Sequence, residues 1–420
     1  MKRRWWKKAL LALVVGLVAL VALAFVDHCG PWPARAPWVR STGRASGPLL
    51  AGGAVVPLSI RFPTTVAGYA PPRPTATSAA APLTARATVV QVGDALVSLV
   101  TLDTCFVTAR MQRAVQEGQP GRVWLIATHT HTSVGGYDAR PVAELAALGW
   151  YDAVEEAALV EAARTAVARA RAALEPVRLE VGSAEVTGLT VSRTGDEVER
   201  TLTVVRFVGA APVAQWLVFS AHPTLAAPRL EKLDPDWPSR LAELAGPQVT
   251  LVLQGAGGNA TVDRDAAPTP EAFAARLFEH VKSTPTQPAA PLLAWAEVGF
   301  ALPHPDGSRL VPRPYTAPVE NALCIGQEPE AMVTLLRLGS ASLLFTSLEP
   351  SAAAGRALEE QAGVDRVVGL ANGYHGYLEP EAVARADLGE ARLQYFPPGF
   401  AQLVGQAAAL ARGAVASPAP

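Results

Sequence analysis

Short apolar runs alternate with longer Ala- and Glu-rich stretches along most of the chain. Residues 97–102, 123–127, 202–208, 213–219 and 249–254 are runs of β-branched and aliphatic residues that stop abruptly at polar ones, the pattern of buried strands. Gly209-Ala210-Ala211-Pro212 separates two of them, which predicts a strand pair across that turn. Helices are predicted over 106–116, within 142–174, over 239–245 and over 271–281. In the second of these, EEAALVEAARTAVARARAAL combines good helix formers with an apolar stripe. The alternation predicts the α/β class, a layered domain with a mixed β-sheet and flanking helices. No internal repeat is visible in the sequence.

Four of the apolar runs end in a side chain that can bind metal. Residues 122–128 lead into His129-Thr130-His131, 213–221 into His222, 341–348 into Glu349, and 366–371 into Asn372-Gly373-Tyr374. Carboxyl ends of strands in an open α/β sheet form one rim, and sites are built there. A metal site at the strand C-terminal ends follows, with imidazoles, a carboxylate and a phenol around one point, the outline of a hydrolytic zinc site. Each piece also has a plainer reading. His129 and His131 fit satisfied polar histidines in a turn, and His222 a hydrogen-bonded core histidine. Glu349 fits a carboxylate preceding a helix, and Tyr374 and Tyr377 fit surface-loop aromatics. Leu253 to Ala260 (LQGAGGNA) is a strand entering a flexible loop, whose amides offer either an anion nest or a bare connection. His28, His280 and His304 lack supporting neighbours and are expected to face solvent.

Composition adds location more than chemistry. With 420 residues, half of them hydrophobic, and a formal charge of -1, the chain can bury a large core and shows no basic stripe for nucleic acid. Met1 to Lys8 (MKRRWWKK) is a basic, aromatic head before the charge-free run 9–26, of roughly the length of a short membrane span. Basic residues before such a run keep the N-terminus cytoplasmic and send the body outward. Ala22-Leu23-Ala24 also fits a signal-peptide cleavage site, so an anchored protein of the cell envelope and a secreted one both remain, with Trp5 and Trp6 favouring the anchor. Residues 1–28 are therefore taken as anchor or signal, 29–56 as a Pro-rich linker, 57–412 as the hydrolase domain and 413–420 as a disordered tail. Cys29, Cys105 and Cys324 allow one pair and leave one thiol, and Cys105 is expected to be a small buried residue.

Read in order, several segments resemble the neutral/alkaline non-lysosomal ceramidase family. They are Ala127 to Tyr137 (ATHTHTSVGGY), Ala221-His222-Pro223-Thr224, the 255–259 loop, Leu348-Glu349-Pro350, and Ala371 to Tyr377 (ANGYHGY). Val66-Ala67-Gly68-Tyr69 and Ser98 to Asp103 resemble the opening of that family's catalytic domain, so the likeness runs from about Pro57 to Phe400. The resemblance implies a zinc amidase that cleaves the N-acyl bond of ceramide by a metal-activated water. It also implies His129, His222, Glu349 and Tyr374 as the Zn2+ ligands. His131 and Tyr377 would be catalytic groups beside the scissile carbonyl, and Gly257, Gly258 and Asn259 would contact substrate.

The chain departs from the family in three places. A serine expected near 257–263 is absent, with Thr261 the nearest hydroxyl; a later tyrosine is replaced at Pro380-Glu381-Ala382-Val383; and the C-terminal β-sandwich of larger members is missing. The expected substrate is a ceramide-like N-acyl lipid, with the membrane as a further partner through the N-terminal segment and with no protein partner. Two alternatives stay open: a degenerate member that binds zinc or lipid without turnover, and a zinc hydrolase for another amide or ester. His375 receives no role.

Overall fold

A computed structural model describes residues 2–30, 35–226, 231–246, 248–312 and 315–416. Three five-stranded sheets carry the fold, where the sequence pattern had implied a single sheet. Each is built by the same course of chain. Three strands pair antiparallel in succession, a helix follows, and a fourth strand then lies parallel to the third.

In the first sheet these strands are Leu49–Pro57, Thr84–Val92, Ala95–Leu102 and, after the helix Ala109–Gln116, Arg122–Ala127. In the second they are Arg178–Glu185, Thr201–Val208, Pro212–Phe219 and, after Asp236–Leu244, Val249–Gln254. In the third they are Leu292–Ala301, Glu330–Leu338, Ala341–Thr346 and, after Ala352–Ala362, Arg366–Val368. A longer helix closes each module: Ala153–Ala172, Pro270–Ser283 and Phe400–Ala416. The repeat is one of topology, invisible in the sequence because only the order of hydrophobic runs recurs.

Alternation of side chains places each strand between two cores. In Arg122–Ala127, Trp124 and Ile126 point into a core shared by all three sheets, together with Trp216, Val218, Leu343 and Phe345. Val123, Leu125 and Ala127 point outward against Met111, Val115 and Leu159 of the flanking helices. The other two sheets have their own helix-side cores. The arrangement is a three-sided prism with sheets facing inward and helices outside. Strands buried on both faces read as continuous apolar runs. Trp124 also crosses between sheets, its indole Nε1 donating to Glu297 Oε1 at 2.9 Å.

Two boundaries differ from expectation. Residues 29–56 are not a linker throughout, because Trp38–Ser46 joins the edge of the third sheet and Leu49–Pro57 is the first strand of the first. Their Gly and Ser content hid them from a pattern search, yet Gly43 is needed where the Trp295 ring crosses the strand, since an added Cβ would lie 2.0 Å from it. Residues 413–416 belong to the last helix, whereas 31–34 and 417–420 lie outside the described residues.

At the N-terminus, Lys2–Ala24 is a helix whose stretch Trp6–Ala24 is long and apolar enough to cross a membrane and has none of its length buried in the protein. Cys29 is disulfide-bonded to Cys324, and Cys105 is a buried free thiol, as the cysteine count had allowed.

Candidate metal centre

Within each module the parallel third and fourth strands end at the same edge of the prism. Those three edges are tied together there. Ala127 N–H donates to Leu370 O at 3.1 Å, Asn372 N–H to Leu125 O at 2.7 Å, and Gly369 N–H to Gln254 O at 2.9 Å. The Gln254 side chain donates to Thr128 O at 3.0 Å and accepts from Ala221 N–H at 3.4 Å. His129 and His222 each follow a residue held by Gln254, and Leu348, before Glu349, accepts from Leu370 N–H at 3.1 Å.

The backbone turns sharply to present them. His129 has φ +69 and Asn372 φ +61, left-handed conformations that cost non-glycine residues about 1–3 kcal/mol each and cluster at functional sites. Asn372 offsets part of this by accepting Leu125 N–H on its Oδ1 at 3.0 Å. Gly258 lets the 255–259 loop lie against the Glu349 backbone, for a Cβ there would sit 2.6 Å from Glu349 O. Gly68 does the same for His131, whose Cα a Cβ would approach to 2.7 Å.

Three imidazoles are oriented alike. Nδ1 of His129 is 2.6 Å from Cys105 O, Nδ1 of His131 is 3.0 Å from Gly68 O, and Nδ1 of His222 is 2.9 Å from Ala260 O. A ring nitrogen bonded to a carbonyl carries the proton, so in the neutral form of each ring Nε2 is the lone pair, the tautomer that metal ligation uses. Those lone pairs meet a carboxylate. Glu349 Oε2 is 3.0 Å from His129 Nε2 and 3.2 Å from His222 Nε2. It is buried and makes no hydrogen bond of acceptable angle. Donor atoms of His129, His222 and Glu349 all lie within 4.8 Å of one another. A buried carboxylate oxygen at ligand–ligand distance from two imidazole lone pairs, yet aligned with neither, fits a cation between them.

The two tyrosines divide the remaining positions differently from the sequence expectation. Tyr377 Oη is 3.2 Å from His222 Nε2, inside the donor cluster. Tyr374 Oη instead donates to the other carboxylate oxygen, Glu349 Oε1, at 2.6 Å. That is a hydrogen-bond length, too short for two donors on one ion. Tyr374 therefore orients Glu349, and Tyr377 takes the place expected for Tyr374. His131 Nε2 stands beside the cluster, 3.3 Å from His129 Nε2.

Electrostatics follow from burial and the one carboxylate. Burial opposes charge on His129, yet Glu349 outweighs it and holds the imidazole well above its ordinary value. Burial favours protonation of Glu349, and His129 overrides this and holds the carboxyl well below the usual range. Burial, with the neighbouring imidazoles, pushes His131 well down, and burial takes His222 down to about 4. Burial and then Glu349 raise Tyr377 well above the phenol range, while Arg193 pulls the other way.

Arg193 is a site residue without a sequence signal. Its guanidinium lies 3.2 Å from Tyr377 Oη and 3.1 Å from Glu390 Oε1, and it also donates to Gly258 O. Nothing in Ser192-Arg193-Thr194 separates it from a surface arginine. Asp103, at the end of the Ser98 to Asp103 segment but given no role there, is a buried carboxylate accepting from Thr84 N–H, Thr84 Oγ1 and Ser239 Oγ at 2.8 Å each and from Thr128 Oγ1 at 3.2 Å.

Of the two readings left open for the Gly-rich loop, the hydrogen bonds favour the bare connection over the anion nest. Gly257 N–H donates to Gly255 O and Gly258 N–H to Pro350 O, both at 2.8 Å. Both arms of the buried Asn259 amide are engaged, Oδ1 by Ala352 N–H and Nδ2 by Glu197 O. Gly257 and Gly258 border the cavity next to His129 and Glu349, but as small residues rather than donors. Thr261 pairs its backbone with His222. Of the histidines expected in solvent, His28 is exposed, while His280 and His304 are half-buried.

Residues 62–200 match the family model for the N-terminal part of neutral/alkaline non-lysosomal ceramidase. Among solved structures the chain is similar to a ceramidase complexed with C2, at 17% identity and a TM-score of 0.74 over 89% of this chain and 77% of that one. It is also similar to the neutral ceramidase of Pseudomonas aeruginosa, at 17% identity and a TM-score of 0.71 over 90% and 77%. No curated protein matches by sequence. The match over 62–200 is thus to that family's N-terminal model, and the chain shares its fold with these two ceramidases.

Proposed function

We propose that this chain is a zinc-dependent hydrolase of an N-acyl amide bond, with a ceramide-like lipid as substrate. The observation that carries this reading is the meeting of His129 Nε2, His222 Nε2, Glu349 Oε2 and Tyr377 Oη, at 3.0–3.2 Å between neighbours, with the Nδ1 atoms of both imidazoles fixed on backbone carbonyls. When bound, a zinc ion supplies a Lewis acid for an amide carbonyl and brings the pKa of a water toward neutrality. His131 is neutral, with its Nε2 lone pair facing the same space, and accepts or returns a proton as the C–N bond breaks. The Arg193 charge steadies the phenolate form of Tyr377.

A small, mainly apolar cleft lined by Phe106, Val142, Ala143, Leu323 and Phe396, with Arg140 and Gln327 also in its wall, adjoins Tyr374 and His375. His375 is engaged on both ring nitrogens, by Ser347 Oγ at 2.7 Å and Gln327 Nε2 at 3.0 Å, and serves as a strut of that wall. The basic head before the apolar helix and the Cys29–Cys324 disulfide both fit an exported domain of the cell envelope.

Metal analysis of the purified chain, together with fatty-acid release from fluorescent N-acyl lipids, tests the reading. About one zinc per chain and release of acyl groups are expected, and His129→Ala should abolish both. The missing serine and the internally bonded amides of Gly257 and Gly258 favour one second reading, a zinc-binding relative with altered substrate or no turnover. Zinc with no hydrolysis of ceramides, N-acyl amino acids or simple esters would select it.

A further inference from the structure

The end of the membrane-length helix is fastened to the lip of the pocket. Residues 302–329 are inserted between the antiparallel strands Leu292–Ala301 and Glu330–Leu338, at the edge of the third sheet where Ala341–Thr346 runs out toward Glu349. The insertion carries the helix Thr316–Cys324. Asn321 on that helix donates from Nδ2 to Ala24 O at 3.1 Å and to Val26 O at 2.8 Å, and accepts His28 N–H on Oδ1 at 2.8 Å. The Cys29–Cys324 disulfide lies one turn further along, and Leu323 beside it lines the mainly apolar cleft at Tyr374.

Around that mouth large apolar side chains face outward. Leu145, from the turn that supplies Val142 and Ala143 to the pocket, is 56% exposed. Tyr315 and Ile325, flanking the Thr316–Cys324 helix, are 56% and 46% exposed. Tyr with aliphatic neighbours is a side-chain set of a membrane interface.

We propose that the N-terminal helix is a retained anchor and that the disulfide and Asn321 hold this face of the prism, pocket mouth included, against the bilayer the helix spans. The occupant of the exposed rim is the lipid surface. The rim meets the exit of the helix where the Phe25 and Tyr315 rings lie 6.4 Å apart, and the clasp begins at Ala24, the last residue of that helix. Seating on lipid does not depend on whether the site hydrolyses anything.

The full chain in phosphatidylcholine vesicles tests this in two ways. A protease site is inserted between Gly30 and Pro37 and cut. The domain should stay with the vesicles until a reductant is added. Release on cutting without reductant, or recovery of a chain already lacking its first residues, would overturn the clasp. Fluorophores are then placed at Leu145→Cys and, in a second protein, at Leu244→Cys. Leu244 ends the helix that runs back from the site edge to the opposite end of the prism. A lipid-borne quencher should cause loss of fluorescence at position 145 and none at 244. Equal quenching of both, or of neither, would refute a seated mouth. Absence of hydrolysis with both results intact would count against the proposed activity alone.

Discussion

Replacing each tyrosine in turn separates the ligand from the residue that orients it. With zinc bonds of about 2.0–2.1 Å, tetrahedral geometry puts neighbouring donors about 3.3–3.4 Å apart. The His222–Tyr377 distance of 3.2 Å and the Glu349 distances of 3.0 and 3.2 Å sit close to that value. Tyr374 and Glu349 Oε1 at 2.6 Å do not, and match a phenol donating to a carboxylate. Tyr374→Phe removes a hydrogen bond to a ligand, a change worth about 10–100-fold in metal affinity. Tyr377→Phe removes a donor and leaves the Arg193 guanidinium against a bare ring, so its loss should exceed that range. Titration of each protein against a chromophoric zinc chelator at fixed pH reads both values, and thermal melts of the metal-free proteins check folding. If Tyr374→Phe lost more zinc affinity than Tyr377→Phe, the assignment of Tyr377 to the cluster would be wrong.

Gly258→Ala would place a methyl 2.6 Å from Glu349 O, where ordinary contact begins at 3.4 Å. About 1–3 kcal/mol of destabilisation and weaker zinc binding should follow, read by melting and chelator titration. Gly399→Ala, where the added methyl meets no atom within 4 Å, should do neither. Gln254→Leu keeps the side-chain volume but removes the acceptor of Ala221 N–H and the donor to Thr128 O. Zinc affinity should fall about 10–100-fold while circular dichroism is unchanged, and unaltered affinity would show that the three edges hold without it.

The Asp236 carboxyl is pushed up to about 6 by burial, against the pull of the Ala226 and Trp237 amides. The folded state therefore keeps a proton that the unfolded chain releases near pH 3.8. Its stabilising contribution is full below that pH and is lost as pH rises through 6, with a slope of at most about 1.4 kcal/mol per pH unit. The denaturation midpoints of the native protein and Asp236→Asn should diverge with a pH-dependent gap between 4 and 6 and a constant gap above 7. Parallel curves across the range would contradict the shift.

Strands whose residues are apolar on both faces were legible in the sequence. The pattern predicts 249–254 with its observed ends, and 97–102 and 213–219 within two residues of theirs. Gly-bearing or half-polar strands were not legible. Leu49–Pro57 contains Gly52 and Gly53, where the backbone and side chains of neighbouring elements come within 3 Å of a virtual Cβ, and Arg178–Glu185 alternates charge with small residues. His129, His222 and Glu349 were legible as candidates because each stands just past an apolar run. Telling Tyr374 from Tyr377 needed the turn at Asn372 and Gly376, whose φ of +61 and +80 decide which ring faces His222. Arg193 is placed by a short strand at Thr190–Ser192 that pairs with Ala260–Val262, a tertiary contact with no local signature.

The threefold topology explains why there is one site rather than three. Each module offers two strand ends at the common edge, so six ends converge. Donors come from the fourth strand of the first module, the third of the second, and both of the third: His129 and His131, His222, Glu349, and Tyr377. The other two ends have different work. Asp103, after Ala95–Leu102, accepts four hydrogen bonds that join Thr84, Thr128 and the helix bearing Ser239. Gln254, closing Val249–Gln254, links Thr128, Ala221 and Gly369, one from each module. Thr128 is shared by both ties and is the residue before His129. A buried polar tie of this kind is costly when its atoms lack partners, and each polar side-chain atom of Asp103 and Gln254 has at least one. Two of the six topologically equivalent positions therefore fix the distances at which the other four present side chains to the cluster.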